Sequence, residues 1–206
     1  MTRIKLCGLT RPCDIEIANE LLPDYVGFVF YPPSRRCVTP TQAAVLRAGL
    51  RREIRAVGVF VDETPETIAD LLARGVIDAA QLHGREDNDY IARLRALTDR
   101  PVFQAFRVAV ASDLALAAES AADLILLDAG SGGGNTFDWS LAAGCRRPYL
   151  LAGGLAPENV GAALTKLSPF GVDVSSGIET NGRKDADRMR AFVRAVRSHD
   201  REERAL

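Results

Sequence analysis

Arg3-Ile4-Lys5-Leu6-Cys7-Gly8-Leu9-Thr10 decides how the rest of the chain is read. An apolar-rich run with no helical spacing ends on a cysteine, and Gly8 breaks it at once. That is the signature of a short buried strand whose last side chain stands at its carboxyl end. Seven later stretches repeat the theme, at residues 25–30, 54–61, 79–82, 101–106, 123–128, 148–152 and 170–174. Helical patterns lie between them, at 12–22, 41–48, 64–73, 87–97, 112–120 and 157–167, and a last one at 185–198 closes the order. Strands apolar on both faces and separated by helices predict a parallel sheet covered on both sides. Eight strand-and-helix units in 206 residues give about 26 residues each, close to the minimum for such a unit.

Eight units close into a (β/α)8 TIM barrel, here compact against the ~250 residues typical of that fold. An open doubly wound sheet is the alternative, but it wants a glycine fingerprint after the first strand, and Cys7-Gly8-Leu9-Thr10 is not one. The glycines fall late instead, at Gly130 to Gly134, Gly153-Gly154, Gly177 and Gly182. One barrel domain over residues 1–206 is expected, with the charged stretch 200–206 fraying.

The composition is that of a soluble globular chain: 47% hydrophobic, 26% charged, formal net charge -1. Such a balance gives no global field for nucleic acid or a membrane surface. The pairs Arg51-Arg52 and Arg146-Arg147 read as solvated faces. No apolar run reaches the ~18 residues of a membrane helix, and Met1-Thr2-Arg3-Ile4 has no signal-peptide stretch. Cys7, Cys13, Cys37 and Cys145 are widely spaced, which suits free thiols in a reducing cytoplasm.

In a barrel the functional side chains gather at the carboxyl ends of the strands, and phosphate often sits on the loops after strands seven and eight. Gly153-Gly154 follows strand seven and Ser176-Gly177 follows strand eight, so backbone N–H groups there can approach an anion without obstruction. Strand six delivers Asp128 directly after four large apolar residues, as a proton donor or as a loop cap. Cys7 is either a small buried apolar residue or a base, its thiolate favoured by N–H groups, Lys5 or Arg36. Lys5 shares the inner side of the strand with Cys7. Arg36 follows a loop stiffened by Pro32-Pro33, and its guanidinium suits a carboxylate. Gln81 and His83 close strand four, where the histidine serves as a ligand contact or a polar cap.

Together these stretches resemble the phosphoribosylanthranilate isomerase family. The resemblance rests on Lys5-Leu6-Cys7-Gly8-Leu9-Thr10, Gly27-Phe28-Val29-Phe30-Tyr31-Pro32, Val57-Gly58-Val59-Phe60-Val61 and Gln81-Leu82-His83-Gly84. It continues in Asn135-Thr136-Phe137-Asp138-Trp139, Gly153-Gly154-Leu155 and Gly171-Val172-Asp173-Val174-Ser175-Ser176-Gly177. It implies a TIM-barrel isomerase of tryptophan biosynthesis that performs an Amadori rearrangement without cofactor or metal. It also implies Cys7 as general base and Asp128 as general acid. Arg36 would take the anthranilate carboxylate, and Gly153, Gly154, Ser176 and Gly177 the phosphate. Lys5, Gln81 and His83, by their positions, and Asp173 are expected as weaker further contacts, Asp173 helping to orient the substrate. The small-molecule substrate would be the only ligand, with monomer and homodimer both open. Asn135 stands where the family commonly carries a lysine and cannot supply its charge.

Two rivals remain. A histidine-pathway isomerase of the same chemistry would use paired aspartates at strands one and five, where this chain has Cys7 and Gln104-Ala105-Phe106-Arg107. A non-catalytic phosphosugar-binding barrel would keep the glycine loops but has no need of Cys7 together with Asp128.

Overall fold

β1 (Arg3–Cys7) forms because its side chains have two apolar environments to fill. Ile4 and Leu6 point outward to the helices; Lys5 and Cys7 point into the interior, and Ile4, Lys5 and Leu6 are wholly buried. The structure is a computed structural model, and it describes residues 1–128 and 141–205.

β1 is followed by β2 (Tyr25–Val29), β3 (Arg55–Phe60), β4 (Ala79–Leu82), β5 (Val102–Arg107), β6 (Leu124–Asp128), β7 (Tyr149–Ala152) and β8 (Gly171–Val174). They pair in sequence order and β8 returns to β1, so the sheet is a closed, all-parallel barrel. Two registers matter for the site: Cys7 lies opposite Gly27 on β2, and Lys5 lies opposite Asp173 on β8. Gly27 is there to make room, since a Cβ on it would stand 2.6 Å from the Cys7 sulfur.

Inside the barrel Val57, Ala79, Phe103, Leu124, Leu126 and Leu150 pack as one cluster, with Cys7, Val29 and Val59 as a separate group. Outside it, the outward strand residues meet the helices in the main core. Each such large side chain contributes about 1.5–3 kcal/mol by leaving water.

The helices are α1 (Pro12–Leu21), α2 (Pro40–Ala48), α3 (Pro65–Ala73), α4 (Asn88–Arg95), α5 (Ala111–Glu119), α6 (Val160–Leu167) and α7 (Ala186–Arg204). Their starts follow local chemistry. Thr39, Thr64, Asp87 and Asp185 cap α2, α3, α4 and α7 through side-chain oxygens, and Pro40 and Pro65 occupy first-turn positions where no N–H is needed. α6 begins at Val160 rather than 157 because Asn159 folds back, accepting from Ala156 N (2.8 Å) and donating to Gly154 O (2.9 Å). After β8 come a 3-10 turn, Ser176–Ile178, and a two-stranded hairpin of β9 (Glu179–Thr180) and β10 (Arg183–Lys184).

α7 runs on to Arg204, and the Asp200 carboxylate within the charged stretch accepts from Thr2 N (3.0 Å) and Thr2 Oγ1 (2.6 Å), 198 residues away. One expectation needs correction: Arg147 is not a solvated surface residue. Its guanidinium donates to the carbonyls of Ala117, Ala118, Ser120 and Ala122 at the end of α5, completing acceptors that a helix terminus leaves open. The motif Asn135–Trp139 and the glycines 130–134 lie outside the described residues.

Candidate active site

The carboxyl ends of the strands surround a cavity of about 520 Å³, bordered by His83, Asp128, Gly153, Gly154, Asp173 and Ser176 among others. Strand ends four, six, seven and eight therefore meet at one place, as the sequence reading requires. Arg107, at the end of β5, borders the same cavity and was not singled out from the sequence. Its one signal was a charge directly after an apolar strand.

Asp128 keeps its side chain 26% exposed, and its Oδ2 lies 3.4 Å from His83 Nε2. The Gln81 amide nitrogen is 3.5 Å from His83 Nδ1, so a chain of polar groups runs from the interior of β4 to the acid. Gln81 itself is buried, and its Oε1 has no hydrogen-bond partner among the described residues.

Gly153 and Gly154 both take positive φ, 86° and 65°. Among the described residues neither donates a backbone hydrogen bond. Positive φ at two successive positions is backbone that favours glycine, and both residues border the cavity. Asn159 holds this loop from behind through Gly154 O, and Arg188 Nε holds the neighbouring one through Gly177 O (3.0 Å). The two loops touch at Gly177, where any side chain would run into the Leu155 carbonyl.

Lys5 and Asp173 form a buried ion pair, Nζ to Oδ1 3.0 Å, with side chains 0% and 10% exposed. Burial opposes the lysine charge, but Asp173 and then Cys7 outweigh it and raise the pKa above the ordinary lysine value. Cys7 lies against this pair. Burial pushes its thiol up, Lys5 pulls it down, and the balance stays above the ordinary thiol value. Desolvation of the thiolate is the larger effect, and it outweighs the pull of Lys5.

Arg36 lies over Gly8, its side chain 22% exposed. The structure shows what the sequence could not: its guanidinium is gripped side-on by Glu179, Nε to Oε1 2.6 Å and Nη2 to Oε2 2.9 Å. Arg35 Nη2 (2.7 Å) and Lys184 Nζ (2.7 Å) bind the same carboxylate. Burial works to raise the Glu179 pKa, yet the bonds from Arg36 and Lys184 prevail and pull it down to about 2. Lys184 shares its counter-ion with two arginines, so burial wins there and its pKa falls below the ordinary value. Among the described residues no group of three or more His, Cys, Asp or Glu side chains could hold a metal ion.

A closed parallel barrel with two glycine loops, a carboxylate and a buried lysine–aspartate pair at one mouth has the layout of the barrel enzymes, whose sites lie at the carboxyl ends of the strands. Sequence comparison narrows the class. The family profile for N-(5'phosphoribosyl)anthranilate (PRA) isomerase matches residues 4–195. The N-(5'-phosphoribosyl)anthranilate isomerase of Acetivibrio thermocellus is 42% identical over 214 residues, covering 97% of this chain and 98% of its own. That of Magnetococcus marinus is 44% identical, with 95% of each chain covered. Among solved structures, phosphoribosyl anthranilate isomerase from Thermotoga maritima superposes with a TM-score of 0.88 at 38% identity, over 96% of this chain and all of that one. A phosphoribosyl anthranilate isomerase complexed with reduced 1-(o-carboxyphenylamino)-1-deoxyribulose 5-phosphate superposes at 0.84 and 37%, with the same coverage. The chain belongs to the phosphoribosylanthranilate isomerase family, the isomerases of that step in tryptophan biosynthesis.

Proposed function

We propose that Asp128 and Cys7 are the acid and base with which this chain converts N-(5'-phosphoribosyl)anthranilate to 1-(2-carboxyphenylamino)-1-deoxyribulose 5-phosphate. Asp128 protonates the ribose ring oxygen, the ring C–O bond breaks, and the anilino nitrogen becomes a protonated Schiff base. The Cys7 thiolate then removes the proton from the neighbouring sugar carbon, and the electron pair neutralises the iminium as an enolamine. Tautomerisation moves the enol proton to carbon one and leaves the ketone. One proton has entered and one has left, so substrate and product are isomers, and exchange with solvent resets the two side chains. An acid and a base of different chemical type allow one to be protonated while the other is not.

One observation carries this reading. Asp128, Gly153, Gly154 and Ser176 border a single cavity, and Asp173 on its wall is paired to Lys5 beside Cys7. The glycine loops, with Ser176 and Gly177, supply the phosphate subsite. Arg36 receives the anthranilate carboxylate, while Asp173, Gln81 and His83 contact the sugar and the amine. A cytoplasmic enzyme acting on a small molecule fits the pathway, and among the described residues no helix is long and apolar enough to cross a membrane.

The test follows anthranilate fluorescence during turnover of substrate made in place from anthranilate and phosphoribosyl pyrophosphate. Cys7→Ser and Asp128→Asn should each lower kcat by about 10²–10⁴-fold while still binding the reduced product analogue. Unchanged turnover in either variant removes that residue from its role. A wild type that binds the analogue but turns nothing over would move the reading to a non-catalytic binding barrel.

A further inference from the structure

We propose that Glu179 is a positioning residue that sets the plane of Arg36 and thereby the affinity for the substrate carboxylate. The inference deepens the assignment of Arg36 made above and rests on it. A guanidinium has two bidentate edges, one formed by Nε with Nη2 and one by the two Nη atoms. Glu179 occupies the first edge completely, through bonds of 2.6 and 2.9 Å. The second edge has no partner among the described residues, and Arg36 as a whole is only partly exposed. One carboxylate therefore fixes the rotation of the group about its own stem and leaves the other edge presented for a second carboxylate.

Glu179 is itself held on three sides. Its side chain is 4% exposed and it binds Arg35, Arg36 and Lys184 at once. Three cations on one anion leave the cluster net positive, so the negative group that orients Arg36 does not repel a carboxylate brought to its far side. Lys184 carries the connection onward: its Nζ also donates to Ser175 O at 2.9 Å, and Ser175 Oγ donates to Cys7 O at 3.1 Å. Glu179 stands directly after the 3-10 turn that contains Ser176 and Gly177. The arginine at one end of the substrate and the phosphate loop at the other are thus braced against the same hairpin. Arg35 and Lys184 already give the carboxylate two cationic partners; the side-on grip on Arg36 is the feature that sets the arginine's plane.

The experiment compares two substrates, phosphoribosylanthranilate and its aniline counterpart, which lacks the carboxylate. Glu179→Gln should raise KM for the first about tenfold, the loss of one well-aligned charged contact, with kcat nearly unchanged. On the aniline substrate it should change neither parameter. In an Arg36→Met background Glu179→Gln should add nothing on either substrate. Glu179→Asp, which keeps the charge but shortens the reach, guards against a folding defect and should show the same split to a smaller degree. Equal damage on both substrates overturns the proposal in favour of a structural brace. If Arg36→Met discriminates between the substrates and Glu179→Gln does not, the arginine assignment stands and the positioning role falls. If Arg36→Met treats both alike, the arginine assignment fails and takes this inference with it.

Discussion

Acid should erode the stability that Glu179 contributes well before the folded carboxylate itself takes up a proton. Folding lowers this carboxylate from its ordinary 4.5 to about 2, a stabilisation worth about 3 kcal/mol at about 1.4 kcal/mol per unit. The folded value lies below the unfolded one, so the contribution is fully present above pH 4.5 and is lost as pH falls toward 2. By pH 3.5 the unfolded chain already binds most of a proton at this site and the folded one almost none, which removes between about 1 and 2 kcal/mol. Urea unfolding followed by far-UV circular dichroism, at pH 7, 5 and 3.5, measures it. The comparison is with Glu179→Gln, which has no proton to take up there. The stability gap between the two proteins should be nearly constant from pH 7 to 5 and narrow by that amount at pH 3.5. A gap that stays constant to pH 3.5 would refute the reasoning, because it would mean the three cations do not hold the carboxylate ionised.

Two further outcomes follow from the ion pairs around the thiol. With Cys7 held above its ordinary value of 9.0, the thiolate needed for proton abstraction is scarce at neutral pH, so kcat/KM and the rate of iodoacetamide alkylation should both keep rising past pH 8; a plateau by pH 7 contradicts this. Lys5→Met leaves Asp173 buried without its counter-ion, which should cost about 3–5 kcal/mol and lower Tm by roughly 7–12 °C in a chain of this length. Adding Asp173→Leu should recover most of the loss, and failure to recover any would place the cost in packing instead.

The alternation of strands and helices was legible because each unit writes its own pattern locally. Apolar runs of four to six residues, threonine, aspartate and proline at the helix starts, and glycine after the strands are signals within one turn of chain. The placement of Asp128, Gly153-Gly154 and Ser176 at a common mouth followed from the barrel alone. What escaped the sequence depends on partners far along the chain. Arg36 announced itself as a cation on a stiff loop, but the Glu179 that grips it is 143 residues away. Arg147 looked like surface charge because the α5 terminus it completes is visible only in three dimensions. The bond from Asp200 to Thr2 was invisible for the same reason. The raised thiol of Cys7 was out of reach in another way: its sign depends on how far burial exceeds the pull of Lys5, a comparison of magnitudes that residue identities do not contain.

The seam between β1 and β8 has a consequence for how the molecule comes into being. Lys5 meets Asp173 across 168 positions, so on the ribosome the first strand waits for nearly the whole chain before its second neighbour exists. Any sheet begun in that interval would have β1 as an outer edge, apolar toward the helices and carrying the lysine and thiol on its other side. Exposed edges of this kind invite pairing with other chains. The positive charge of Lys5, lodged in the middle of the strand, discourages such pairing until Asp173 arrives to neutralise it. The same side chain that tunes the thiol in the finished protein thus guards an open edge in the growing one.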